Sequence, residues 1–373
     1  MGNSSRRHLA SPGPCLATLA IALVVSITWP AAVAQAQPDS DAHFLIADQF
    51  NNRVIEVNAE THKVVWTFGN GSDIPGPHSV VGTNDAQRVG PLTLIAGTGI
   101  PVANPPLPGC SDPVNGCPDN RVFLVDHSGR IVWQYGQAGV TGSDANQLNT
   151  PVQSTFVSDF PGHPGFGVLI TDQGNQRVIL VSLASHSIVW QYGTTGTAGM
   201  GPNQLSNPNS AELLENGHIL IADESNNRVI EITSGGSIVM TFTAGGGVSG
   251  AAFASRLPNG DTLITDSLNN RAIEVDKTDH IVWQYVTNND ANSNANPNPT
   301  RAVRLRNGNT LISDQFNNRV IEVTQAGKIV FQQGQTNVLG NGFNQLNGPY
   351  DAKQIGDFTG LTPPFGFDHD RDR

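Results

Sequence analysis

The stretch DQFNNRVIEV occupies Asp48–Val57 and recurs, letter for letter, at Asp314–Val323. Ten identical residues near both ends of a 373-residue chain call for a repeating unit, and degenerate copies fill the interval. They read HFLIADQFNNRVIEV from His43, a split pair LTLIAG (from Leu92) and DNRVFLV (from Asp119), then GVLITDQGNQRVILV from Gly167. HILIADESNNRVIEI from His218, DTLITDSLNNRAIEV from Asp261 and NTLISDQFNNRVIEV from Asn309 complete the set. Arg53, Arg121, Arg177, Arg228, Arg271 and Arg319 mark the register, at spacings of 68, 56, 51, 43 and 48 residues. A period of about 40 to 50 residues is that of a propeller blade. The long first spacing reflects an insertion, TGIPVANPPLPGCSDPVNGCP, at residues 98–118.

Each unit resolves into four short strands. A segment such as SAELLENG (from Ser210) or AVRLRNG (from Ala302) precedes the Ile/Leu-rich strand, and a fourth strand follows the arginine strand: VVWTFG at Val64, IVWQYG at Ile131 and Ile188, IVMTF at Ile238, IVWQY at Ile281, IVFQQG at Ile329. Short apolar, β-branched runs separated by Asn-Gly and Gly-Gly turns are buried strands of hairpins. The expected fold is all-β, a six-bladed β-propeller of four-stranded antiparallel blades. No first strand stands ahead of His43, whereas GPYDAKQIGD (from Gly348) is a first strand with nothing after it. The C-terminal strand therefore closes the ring by joining the N-terminal blade.

Composition agrees with a turn-rich β fold: 40 Gly and 24 Pro, with only 14% charged residues. Residues 1–36 differ, with Arg6 and Arg7, an apolar run from Cys15 to Trp29 and Ala34-Gln35-Ala36. This is read as a signal peptide cut after Ala36, so the protein is expected to be secreted or periplasmic, with no membrane span after cleavage. The propeller is assigned to 37–360 and a disordered tail to 361–373. The mature chain carries 31 acidic against 18 basic side chains, which repels polyanions and excludes nucleic acid as a partner. Cys110 and Cys117 are left as an even pair in an exported chain, expected to be a disulfide that staples the insertion.

The chain resembles NHL-repeat propellers, on NQLNTP at Asn146, NQLSNP at Asn203, NQLNGP at Asn344 and the Asn-Arg turn of every unit. IVWQYG and LPNGDTLITD also resemble blades of arylsulfotransferase-type and quinoprotein-type propellers. Recurring residues serve what all blades share. Asp48, Asp172, Asp223, Asp266 and Asp314 are expected to accept backbone N–H bonds from the Asn-Asn turn and to face the following arginine. Trp66, Trp133, Trp190 and Trp283, with Met240 and Phe331 in the same slot, are expected between blades.

Function is sought where the units differ, at the start of each first strand. Those positions read His78-Ser79, Val152-Gln153, Asn209-Ser210, Ala252-Phe253, Thr300-Arg301 and Tyr350-Asp351, followed by small residues and by Glu212 and Lys353. Such a mouth suits a polar or anionic ligand held by Gln153, Asn209, Glu212, Tyr350 and Asp351, and equally a hydrogen-bonded plug. The family resemblance implies binders and enzymes alike: lyases with zinc on channel histidines, lactonases with calcium, sulfotransferases with a histidine nucleophile. His78 and Arg301 are the candidate catalytic pair. No metal site and no cofactor is expected, calcium being the one open possibility. The favoured reading is a monomeric, non-catalytic module that recognises a protein or a small polar ligand through the channel mouth and the stapled loop. The alternative is a propeller enzyme.

Overall fold

In the computed structural model, residues 42–357 are described and form six four-stranded antiparallel sheets. The expected signal peptide and the tail 361–373 lie outside the described residues. Five blades run in chain order from inner to outer strand. Blade two runs from Thr83–Val89 to Ile131–Tyr135, blade three from Pro151–Phe160 to Ile188–Tyr192, and blade four from Pro208–Leu213 to Ile238–Phe242. Blade five runs from Ala251–Arg256 to Ile281–Val286, and blade six from Pro299–Arg304 to Ile329–Gly334. Blade one is composite: inner strand Pro349–Gln354 pairs antiparallel with His43–Asp48, placing Ala352 opposite Ile46, and Arg53–Asn58 and Val64–Phe68 follow.

Second strands are apolar on both faces because each is packed between two neighbouring blades. Ile219–Asp223 is buried at every position. Val122 and Leu124 of blade two share one cluster with Ile170 and Ile179 of blade three. Outer strands are sheet edges, and Val64, Val65, Val239 and Val282 are exposed there. The Trp slot packs between blades as expected, and three of its indoles donate to a carbonyl of the next blade: Trp66 to His127 (3.0 Å), Trp190 to Ser234 (2.7 Å) and Trp283 to Gln325 (2.9 Å).

The Asn-Asn-Arg signature has a local cause. After the strand-ending Asp the chain makes one 3₁₀ turn and exits through a residue in the left-handed region: Asn52 (φ 51°), Gln176 (59°), Asn227 (52°), Asn270 (56°) and Asn318 (55°). A short amide side chain tolerates that conformation better than most residues. The preceding Asn donates to the Asp, 2.8 Å in Asn51–Asp48, and the Arg Nε donates to the same oxygen, 2.7 Å in Arg53–Asp48. The other carboxylate oxygen accepts the amide of the loop entering the inner strand, as in Asn347 to Asp48 (2.8 Å), Asn149 to Asp172 (2.8 Å) and Ser206 to Asp223 (2.7 Å). The backbone donor is thus the incoming loop and not the Asn-Asn turn, which corrects the sequence expectation.

Blade two keeps this cluster without an Asp at the end of its second strand. Gly97 pairs with Arg121 there, as Asp48 pairs with Arg53. Asp119 supplies the carboxylate instead, bonding Arg121 Nε (2.5 Å) and the Val81 amide (2.8 Å). A Cβ on residue 97 would fall 2.6 Å from Asp119 Cγ, so glycine leaves the room that this replacement needs.

The two identical DQFNN turns meet at the ring closure. Gln315 Nε2 donates to Gln49 Oε1 (2.7 Å), and the rings of Phe50 and Phe316 are stacked with centroids 6.4 Å apart. The insertion lies over this seam. Cys110 and Cys117 are bridged, with Cα atoms 5.6 Å apart, and Ile100 and Cys117 exchange backbone hydrogen bonds at 2.9 Å. Leu107 and Cys110 pack with Phe50, Val81, Ile100 and Phe316, and Asn52 Nδ2 donates to Gly109 O (2.7 Å).

Candidate functional site at the channel mouth

Strand register assigns the channel positions. Pro208 opposes Asp223 and Ser210 opposes Ala222, with Asn209 in a bulge between them. In blade two Thr83 opposes Gly97 and Asp85 opposes Ala96 with Asn84 in the bulge, and Val152-Gln153, Ala252-Phe253, Thr300-Arg301 and Tyr350-Asp351 take the same places in the others. Five of the six sequence-read pairs therefore stand where expected. His78-Ser79 does not: His78 is exposed in the loop ahead of blade two, six residues short of Asn84. Pro77 imitates the lead-in proline, whose true counterpart is Thr83, and TNDAQ beside PNSAE was the usable signal. His78 and Arg301 are not brought together.

At the mouth, Tyr350 of blade one reaches across the axis to blade four. Its hydroxyl lies 2.9 Å from Asn209 Nδ2 and 3.2 Å from Oδ1, and Asn209 Nδ2 also donates to Glu224 Oε2 (2.8 Å). Thr300 Oγ1 donates to the Tyr350 carbonyl (2.6 Å), and Gln49 Nε2 to Asn84 Oδ1 (2.7 Å). Burial, with the Glu224 carboxylate behind it, pushes the Tyr350 phenol up, so it remains a neutral donor.

One step deeper, side chains of one blade accept inner-strand amides of the next. Asp351 takes Ala86 N (3.2 Å), Asp85 takes Ser154 N (3.1 Å), Gln153 takes Ala211 N (2.5 Å) and Ser210 Oγ takes Ala254 N (3.2 Å). Phe253 and Arg301 offer no acceptor, and the series ends there. Below, Gln87 accepts Phe156 N (2.8 Å) and Glu212 accepts Arg256 N (2.9 Å). Burial pushes Glu212 up to about 7.

Four charges are buried together at this depth. Arg301 Nη1 donates to Asp85 Oδ1 (2.9 Å), and its Nε lies 2.8 Å from Asp351 Oδ1 as an ion pair. Lys353 Nζ reaches Asp85 Oδ1 (2.7 Å), Asp351 Oδ2 (2.5 Å) and the Ala86 carbonyl (2.8 Å). The Arg301 guanidinium lies 3.9 Å from the Phe253 ring centroid. Burial raises both carboxyls; at Asp351 it prevails, whereas at Asp85 Lys353 and Arg301 outweigh it and hold the group below its usual range. Removing one member of such a set strands a buried charge, so the network joins blades six, one and two.

Gln153, Asn209, Glu212, Tyr350 and Asp351 thus all line or underlie the channel, and all five are engaged in bonds between blades. The geometry is that of a plug. Asn84, Asp85 and Gln87 belong to it and were missed from sequence through the Pro77 misalignment. Among the described residues, no group of three or more His, Cys, Asp or Glu is arranged to hold a metal ion.

The chain is a six-bladed β-propeller. No protein-family model matches it, and no curated protein matches it. It is similar to a solved protein of unknown function from Bacteroides caccae, at 12% identity and a TM-score of 0.54, over 85% of this chain and 100% of that one. A virginiamycin B lyase from Staphylococcus aureus matches at 12% identity and a TM-score of 0.46, over 78% and 84% of the two chains. The WD40 propeller domain of Doa1 matches at 10% and 0.46, over 79% and 84%. At these identities the likeness is one of fold.

Proposed function

We propose that this NHL-like propeller is an exported, non-catalytic recognition module whose contact surface is the face bearing the inter-blade loops, the Asn-Arg turns and the 98–118 insertion. The observation that carries the reading is where the exposed apolar side chains stand. Among the described residues, the large hydrophobics exposed by 60% or more are Ile74, Val114, Met200, Leu268, Leu339 and Phe343. By strand direction all six lie in loops at one end of the inner strands. Exposed apolar groups gathered on one face mark interaction surfaces, and a polar channel closed on itself leaves small ligands little to bind.

Charge narrows the partner. Asp73, Asp112 and Asp144 lie in loops of this face, and each of its six turn arginines is already paired with an aspartate, which leaves the face net acidic. A polypeptide presenting apolar and basic groups fits such a surface. The bridged Cys110–Cys117 pair is compatible with export, and among the described residues no helix is long and apolar enough to cross a membrane.

The test is the native size of the protein in unfractionated extract of its own compartment. Wild-type chain should elute in an assembly and the Val114→Asp, Phe343→Asp double variant as a folded monomer. A wild-type monomer, or an assembly indifferent to both substitutions, would overturn the reading.

A further inference from the structure

The axis of the propeller holds a cavity of about 10 Å³ walled by all six blades, through Asn84, Gln153, Asn209, Phe253, Arg301 and Tyr350 among others. That is about the room of one water-sized guest. Two buried donors in its wall have no partner: Arg301 Nη2 and Gln153 Nε2, on residues only 4% and 3% exposed. They come from opposite blades, six and three. The Gln153 assignment is fixed by chemistry, because its other terminal atom accepts the Ala211 amide and must be the oxygen. Arg301 Nη2 is likewise fixed, since Nη1 is held by Asp85 and one face of the guanidinium is covered by Phe253.

The side-chain oxygens in the same wall each already take part in a hydrogen bond. Asn84 Oδ1 takes Gln49, Asn209 Oδ1 takes the Tyr350 hydroxyl, and the Thr300 hydroxyl is spent on the Tyr350 carbonyl. A water between two donors would fill its lone pairs and leave its own protons to compete for oxygens that already hold a bond, Thr300 Oγ1, Asn84 Oδ1 and Asn209 Oδ1. A monatomic anion accepts from both nitrogens and donates nothing, and any polyatomic anion is too large. We propose that the cavity is a halide site, in which one chloride ion is held on the axis by Arg301 Nη2 and Gln153 Nε2. The ion completes the inter-blade bonding at the place where Phe253 and Arg301 interrupt the series of acceptor side chains.

The experiment substitutes bromide for chloride in crystals of the full-length protein, with data collected at the bromine absorption edge. One anomalous peak on the axis, within hydrogen-bonding reach of both nitrogens, is expected. In parallel, exchanging sodium gluconate for sodium chloride at constant ionic strength should raise the melting midpoint by on the order of 2 °C. Gln153→Glu keeps an acceptor for Ala211 N but turns an acceptor toward the cavity, so both the peak and the chloride-specific rise should vanish. Axial density without anomalous signal in the wild type, or a peak of equal height in Q153E, would overturn the site.

Discussion

Asp314 bears its charge at a cost that a single proline explains. In blades one, three, four and five the strand-ending Asp accepts a loop amide, from Asn347, Asn149, Ser206 and Ser249. The equivalent residue in blade six is Pro297: its carbonyl accepts Phe316 N (2.8 Å), as that of Asn347 accepts Phe50 N (3.0 Å). Proline has no N–H to give, and Asp314 Oδ1 is left buried without a partner. Burial pushes Asp314 up to about 6, against Arg319, Asn317 and Thr287, which lower it. A carboxyl with its folded pKa raised stabilises fully below the unfolded value, near 4, and that contribution is lost as pH rises through 6. Roughly two units correspond to about 3 kcal/mol. Pro297→Ser restores the donor found in blade four. A hydrogen bond to a carboxylate contributes about 1.5 to 3 kcal/mol, and the lost proline rigidity costs about 0.4 to 1. The variant should therefore be more stable by about 1 kcal/mol at pH 8 and slightly less stable at pH 4. Urea unfolding at both pH values measures the difference, and carboxyl ¹³C NMR should show Asp314 titrating lower. Equal changes at the two pH values, with an unmoved titration, would refute the reasoning.

Three further outcomes follow from the same geometry. Gly97→Ala should destabilise by about 2 to 4 kcal/mol because its Cβ meets Asp119; exchanging the two positions, Gly97→Asp with Asp119→Gly, should recover most of that loss in the same unfolding assay. Tyr350→Phe removes the bond across the axis and should cost about 1 to 2 kcal/mol in denaturant titration, far more than an exposed Tyr→Phe change. Deleting residues 348–373 removes the inner strand of blade one and should abolish cooperative melting, since it strips the partner of His43–Asp48.

The fold was legible because the repeat states it several times over. Asp, Asn and Arg recur at a fixed offset since one carboxylate, one left-handed residue and one guanidinium build each turn, and the unmatched strand at Gly348 announces the closure. The channel was legible by strand but not by partner. That Asp85 and Arg301, 216 residues apart, form a buried pair depends on blade six lying two places from blade two around the ring, which no local pattern encodes. The misreading of His78 has a different origin. In blade two a threonine begins the inner strand and the carboxylate has moved from the second strand to Asp119, so both landmarks of the register are displaced in the one unit that carries the insertion. The insertion reads as a stapled loop in sequence, but its packing does not: Ile100, Leu107, Cys110 and Cys117 join Phe50 and Phe316 in one apolar cluster.

On the proposed function, partners are met on the loop face and not through the axis or the opposite face. Site-specific photo-crosslinking in the native compartment tests it directly, with the reactive side chain placed at Val114 or Phe343 on the loop face and at Ser128 or Lys277 on the other, all four exposed. Discrete adducts from Val114 and Phe343 alone are predicted; adducts that form only from Ser128 and Lys277, or from none of the four, would contradict it.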